Sequence, residues 1–282
     1  MADGLVQLPN PLRPSYADGY APRDGIGTPG EDWFWDGLVG AWMPTFGATG
    51  NSLWDVSLRG NHGTLVNGPS WPPSPNGGAL LFDNGASQDA VVSGVDATPE
   101  LSIALRFIPL DDAFDSLMSR GILDTDQDWL LRTSIPKTDM QFRVRASGTT
   151  RQLTFDIPDS TEYHSLVVTY KAPTATAYVD GQFVDSGSIT DGVPLATNVK
   201  DIYLASIDGG SYGTTSIESW SIHARILTLS QIQALHEDSA RGFRLAPAYF
   251  PLSTGAPPAG AIMNQMQGSN LGADLFNGTL IA

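Results

Sequence analysis

Five glutamates (Glu31, Glu100, Glu162, Glu218 and Glu237) and a larger set of aspartates are the side chains of this sequence best suited to acid–base work or cation binding. Retaining cleavage of a glycosidic bond needs two carboxyl groups about 5–5.5 Å apart. On a β-strand that means acids at i and i+2 or i+4. Glu218 lies in Ser216-Ile-Glu-Ser-Trp220, where the flanking same-face positions hold a serine and a tryptophan. Glu162 is followed by Tyr163 and His164, with no acid in the next several residues. Gly-x-Ser-x-Gly is missing, and His62, His164, His223 and His236 are scattered. No catalytic constellation is expected, and the chain reads as non-enzymatic.

Cation binding and aromatic stacking are the other chemistries on offer. Asp124-x-Asp126-x-Asp128 has the spacing that opens an EF-hand loop, yet its sixth position is Trp129 and its twelfth Ile135, where glycine and glutamate are required. Loop oxygens at Asp55, Asn61, Asp83 and Asp208 remain as candidate calcium ligands. Sugars stack on aromatic faces flanked by Asp, Asn and Gly. Trp71 in a proline-rich loop, Trp129 beside the aspartate run and Tyr212 in Asp208-Gly-Gly-Ser-Tyr-Gly213 are the candidates for that role. Trp42, Trp54 and Trp220 occupy strand-like or motif positions and are expected in the core. His62, in Gly60-Asn-His-Gly63, suits a tight turn with ring-to-backbone hydrogen bonds.

The elements that must carry these residues are strands. Glu162–Gly187 holds three β-type runs: Tyr163–Tyr170, Ala175–Val179 and Gln182–Asp185. The first break is Lys171-Ala172-Pro173. The second is Asp180-Gly181, the dipeptide favoured in the tight hairpin turn that needs positive φ at both central residues. Such a meander buries one face and needs a second sheet over it. Further runs at Leu101–Ile108, Leu117–Leu123, Trp129–Thr133, Met140–Ala146, Gln152–Ile157, Ile202–Ser206 and Ile217–Ile226 recur about every ten residues, which predicts a sandwich or jelly roll. Ala79–Asp83 and Ala90–Val92 read as paired strands. One helix is expected over Gln231–Ser239, capped by Ser230.

Composition narrows the partners. Thirty acidic against fifteen basic residues give a net charge of −15, which argues against a nucleic-acid partner. No apolar run reaches the ~20 residues of a membrane span, so no membrane insertion is expected. Cysteine is absent, which excludes disulfides and thiolate metal sites. The first residues show neither a basic nor an apolar signal region, so assembly in a cytoplasm without a signal peptide is expected.

Residues 1–36 are rich in proline and glycine and lack an apolar period, yet carry Trp33, Phe34 and Trp35. They read as an extended arm that packs on its own domain or on a neighbouring subunit. Residues 241–282 contain Phe243, Tyr249, Phe250, Leu275 and Phe276 with few charges, the pattern of an extension that docks on a partner. These aromatic and apolar residues are the candidate assembly contacts.

Between the two arms the order of motifs resembles the laminin-G-like domains of the concanavalin A-like superfamily. The resemblance covers roughly residues 37–240. It rests on Gly37-Leu-Val-Gly-Ala-Trp42, Asp55-x-Ser57-x-x-Gly60-Asn-His-Gly63, Gly78-x-Leu-x-Phe-Asp83, His164–Tyr170, Ala177-Tyr-Val-Asp-Gly181, and the strand and helix at Ser219–Glu237. It implies an all-β jelly-roll sandwich of two antiparallel sheets with one short C-terminal helix. The Glu-x-Asp-x-x-Glu pattern of glycoside hydrolases in that superfamily is missing. Calcium, where such domains hold it, sits between rim loops, so it is the one cofactor left open. A proline-rich arm before these motifs is also similar to tailed-phage virion proteins. Two readings follow. The first is a virion structural protein, a capsid decoration protein or head fibre. Its arms would contact other virion proteins and a homo-oligomer, with a trimer or another cyclic assembly implied by the resemblance. The second is a carbohydrate-binding module, with or without calcium, whose partner would be a host-surface polysaccharide.

Overall fold

In the computed structural model, residues 32–240 are described, apart from 58, 97, 111–115, 122–127, 135–137, 147–148, 159–160, 190–198 and 208–209. The chain opens with α1 (Asp32–Trp35), β1 (Leu38–Trp42), β2 (Ser52–Leu53), β3 (Gly63–Val66), β4 (Pro73–Ser74), β5 (Gly77–Gly78) and β6 (Leu80–Phe82). It continues through β7 (Asp89–Val95), β8 (Glu100–Pro109), β9 (Ser116–Arg120), β10 (Trp129–Thr133), β11 (Asp139–Ala146) and β12 (Thr149–Asp156). The last elements are β13 (His164–Lys171), β14 (Thr174–Val179), β15 (Gln182–Ser188), β16 (Lys200–Leu204), β17 (Ser206–Ile207), β18 (Ser211–Tyr212), β19 (Thr215–His223) and α2 (Leu229–Glu237).

Two antiparallel sheets result. The first runs β1-β19-β8-β13-β14-β15, with β6 pairing with the start of β19. The second runs β12-β11-β10-β9-β16-β7-β3-β2. Alternation explains which side chains meet between them. Met140, Phe142 and Val144 point inward from β11, and Leu101, Ile103, Leu105 and Phe107 do so from β8. With Trp42, Trp220, Tyr170 and Phe82 they form one continuous core.

A smaller cluster covers the outer face of the first sheet, where Phe34, Met43, Ala104, Val167, Leu227, Ile232 and Leu235 pack together. Phe34 is fully buried there, and Arg225 fixes the segment by donating to the carbonyl oxygens of Trp33 and Asp36. Trp33 and Trp35 pack on the same cluster. Trp33, Phe34 and Trp35 thus pack on their own domain, one of the two roles expected of that segment. The assembly candidates Phe243, Tyr249, Phe250, Leu275 and Phe276 lie outside the described residues.

The Asp-Gly turn forms as its chemistry requires, with φ of 50° at Asp180 and 74° at Gly181. Two expectations are corrected. Thr228, not Ser230, caps α2, in a reciprocal capping box with Gln231. The runs at Ala79–Asp83 and Ala90–Val92 do not pair with each other. β6 joins β19 in one sheet and β7 joins β3 and β16 in the other, so the chain crosses between layers at this point.

Candidate functional site

The motif Asp55–Gly63 folds into a loop closed on one carboxylate. Asp55 is fully buried. Its Oδ1 accepts hydrogen bonds from the amides of Ala41 (3.0 Å) and Ser57 (2.9 Å), and its Oδ2 accepts one from the Asn61 amide (2.9 Å). Asn61 in turn donates from Nδ2 to the Val39 carbonyl (2.8 Å), and its own carbonyl accepts from Trp42 Nε1 (2.8 Å). Asp55 thus spends its carboxylate on three amides, and Asn61 ties its side-chain amide and its carbonyl to β1, so both serve the loop's own structure. The Asp55 amide donates to His62 Nδ1 at 3.0 Å, the ring-to-backbone bond expected for that histidine.

Strand alternation through this loop has a consequence for Trp54. Leu53 and Asp55 both point inward, so Trp54 between them must face out. It is 43 % exposed, correcting its expected place in the core. Its indole lies against the exposed His62 imidazole, with ring centroids 5.0 Å apart and planes tilted by 52°. Asn51, Ser52 and Thr64, on the adjoining β2–β3 pair and its approach, are exposed as well. Trp129 moves the other way. It is only 2 % exposed and belongs to the central core, so it offers no face to a sugar. Asp128 beside it pairs with Arg120 and with Lys200 Nζ (2.8 Å), both buried, and serves as a counter-ion.

The remaining candidates gather near the start of β19. Ser70 bridges to Leu81, which places Trp71 alongside β6, half-buried against the core. Phe82 pairs with Thr215, so Asp83 and Tyr212 flank the same end of the sandwich. Asp83 caps a short turn, its Oδ1 accepting from the Gly85 amide (2.8 Å). Tyr212 is half-exposed in the β17–β18 hairpin, and Asp208 lies outside the described residues. Beneath that hairpin, buried Asp89 accepts from Ser206 Oγ at 2.6 Å, and burial pushes its carboxyl above the usual range. No group of three or more His, Cys, Asp or Glu side chains suited to a metal occurs among the described residues.

Glu218 is the acid on the outer face of the first sheet. A bulge in the β8–β19 register falls there, and the side chain is fully buried. Its Oε2 accepts from Arg106 Nε (2.7 Å) and from Asn76 Nδ2 (3.0 Å), tying the β4–β5 hairpin to the sheet. Next to it, the Tyr163 hydroxyl bonds to Ser216 Oγ (2.7 Å). Burial raises the phenol's pKa, the bond to Ser216 opposes that rise, and the charge of Glu218 adds to it. The bonded partners of this carboxylate are the Arg106 guanidinium and the Asn76 amides, which suits an anchor rather than an acid–base couple.

The chain is similar to several solved structures. The binding domain of Paraclostridial mosquitocidal protein 1 superposes with a TM-score of 0.57 at 14 % identity, over 73 % of this chain and 52 % of that one. The receptor-binding domain of botulinum neurotoxin type G gives 0.54 at 15 % identity, over 72 % and 51 %. Trypanosoma rangeli sialidase gives 0.52 at 17 % identity, over 71 % and 32 %. This chain thus spans about half, or less, of the lengths of these structures, and the likeness is one of fold. No curated protein sequence matches it. Residues 84–233, just over half of the chain, match the Laminin_G_3 family, and the chain belongs to this branch of the concanavalin A-like lectin/glucanases superfamily.

Proposed function

We propose that the domain binds carbohydrate without cleaving it, and that Trp54 is its stacking platform. The observation carrying this reading is an indole 43 % exposed yet backed by His62, on a loop that Asp55 holds rigid. Apolar ring area offered at low ordering cost, with polar groups beside it, is what sugar recognition requires. The superfamily holds both lectins and glucanases, and the engagement of Glu218 by Arg106 and Asn76 favours the binding role. Relatives described as binding or receptor-binding domains lean the same way. Nothing among the similar proteins supports the virion role suggested by the arms, whose apolar contacts after residue 240 are outside the described residues.

The test is a glycan array probed with the labelled full chain, followed by titration of retained glycans. Trp54→Ala should weaken binding ten- to hundred-fold, the range of about 1.4–2.7 kcal/mol typical of a buried aromatic contact. Its melting temperature should not change, EDTA should leave binding intact, and no reducing ends should be released. Failure to retain any glycan, or wild-type affinity in the variant, refutes the proposal.

A further inference from the structure

We infer that the outward face of β10–β12 is a second binding surface, one for an acidic polysaccharide whose carboxylates pair with Arg132, Arg143 and Arg145. The chain carries a net charge of −15, yet residues 132–151 hold five of its fifteen basic residues and one of its thirty acids. Alternation sorts that charge by side. Met140, Phe142 and Val144 of β11 are buried in the core, so Gln141, Arg143 and Arg145 face out. Arg132 lies opposite Gln141 and faces the same way, between buried Leu131 and Thr133. Arg143 and Arg145 are therefore about 6.8 Å apart along one strand, and Arg132 stands about 7–8 Å from Arg143 on the diagonal.

Three like charges this close repel one another, and a bound anion relieves that repulsion. Among the described residues of β10–β12, the acids on this face are Asp139 and Asp156. They sit opposite each other at the far end of their strands, beyond the Gln141–Thr154 pair. Asp128, just before β10, is taken up by Arg120 and Lys200. Arg132 donates from Nε (3.0 Å) and Nη2 (2.8 Å) to Gln141 Oε1. Such bonds fix the plane of a guanidinium, whose five donors form a fork that matches a carboxylate. Thr150, Gln152 and Thr154 flank the arginines from β12 and supply hydroxyl and carboxamide groups suited to sugar hydroxyls. Leu130 points the same way but is fully buried. An acidic peptide would need apolar anchors, and this face offers none among its described residues, which favours a sugar chain. Trp54 follows β2 at the opposite edge of the same sheet. It is six strands from β11, about 29 Å at the usual strand spacing, which makes this a separate site.

Calorimetric titration of the full chain with polygalacturonate, a linear polymer of a uronic acid, tests this. The polymer should bind at about 50 mM salt and be released at about 500 mM, as screening of exposed charges requires. Its methyl ester, the same sugar without the charge, should not bind. Arg143→Gln and Arg145→Gln should each weaken binding about tenfold. Lys171→Gln removes the same charge from an exposed position on the other sheet and should leave binding unchanged. Melting curves separate a lost contact from a folding defect, and the ester comparison needs no variant. No binding of polygalacturonate, equal binding of its ester, or wild-type affinity in both arginine variants overturns the inference. So does equal affinity for polyaspartate, which would make any polyanion the ligand. Trp54→Ala reports on the stacking platform and the arginine variants on this face, so the two proposals fail separately.

Discussion

Replacing Asp55 by alanine separates a structural carboxylate from a metal ligand. Three amides would lose their acceptor. Ala41 is fully buried and Ser57 is 7 % exposed, so these two N–H groups would be stranded without water. The half-buried Asn61 amide can be rehydrated in part. A buried donor left unsatisfied costs about 1–3 kcal/mol, toward the upper end where a charged acceptor is removed. Two stranded donors therefore give a loss of about 4 kcal/mol. For a domain of this size that is a fall of about 8–16 °C in Tm. Asp55→Asn should do less harm. Its oxygen can occupy the Oδ1 position and keep Ala41 and Ser57, while its amide group opposes Asn61, at a cost of about 1–2 kcal/mol. Urea melts followed by tryptophan fluorescence, with equal slopes for all three proteins, give the order directly. An alanine variant within about 1 kcal/mol of wild type would refute the argument. A calcium-induced rise in Tm that vanishes in Asp55→Asn would refute it from the other side.

Arg106→Ala leaves Glu218 buried without its cation and should cost about 3 kcal/mol, the lower end for a broken buried pair because the Arg106 side chain is 17 % exposed. Urea melts should show Arg106→Met with Glu218→Met to be the more stable combination, and a double variant worse than the single one contradicts this. His223 is held neutral. Burial first, then the charge of Arg225, lowers its pKa from 6.5 to about 3. The unfolded chain therefore takes up the extra proton between those values, so this stability term is complete above about pH 6.5 and is lost on acidification. By pH 4.5 the loss is about 2–3 kcal/mol. His223→Leu should flatten that part of the pH dependence in urea melts at pH 7 and 4.5, and an unchanged slope would disprove it.

The sandwich was legible because its signals are local and repeated. Met140, Phe142 and Val144 alternate with Gln141, Arg143 and Arg145, and the structure buries the first set in its core. Asp180-Gly181 turns where the positive φ requirement places it. Sheet membership was not legible. β6 and β7 are separated by only a short turn, yet they enter different layers, because Leu80–Phe82 completes the edge beside β19 while Asp89–Val95 fits between β3 and β16. No local property of either segment encodes that choice. Distant pairing partners determine it, since β19 and β16 each lie more than a hundred residues from the strand they pair with.

The tryptophans show where reading the site from sequence breaks down. Trp129 borders an aspartate run and was expected at the surface, but it opens β10 in register with Val144, an inward position. Trp54 sits in a motif and was expected in the core, yet it follows Leu53, which is buried. Motif membership pointed to a tight loop, not to which way each side chain points. The signal that would have decided both cases is parity with a residue whose direction is certain. Asp55, immobilised by three amides, supplies that reference for its own loop. A residue adjacent to it on an extended chain must face the opposite way. The same carboxylate that holds three amides therefore directs the neighbouring indole toward solvent, and the proposed stacking platform is a by-product of how the loop closes.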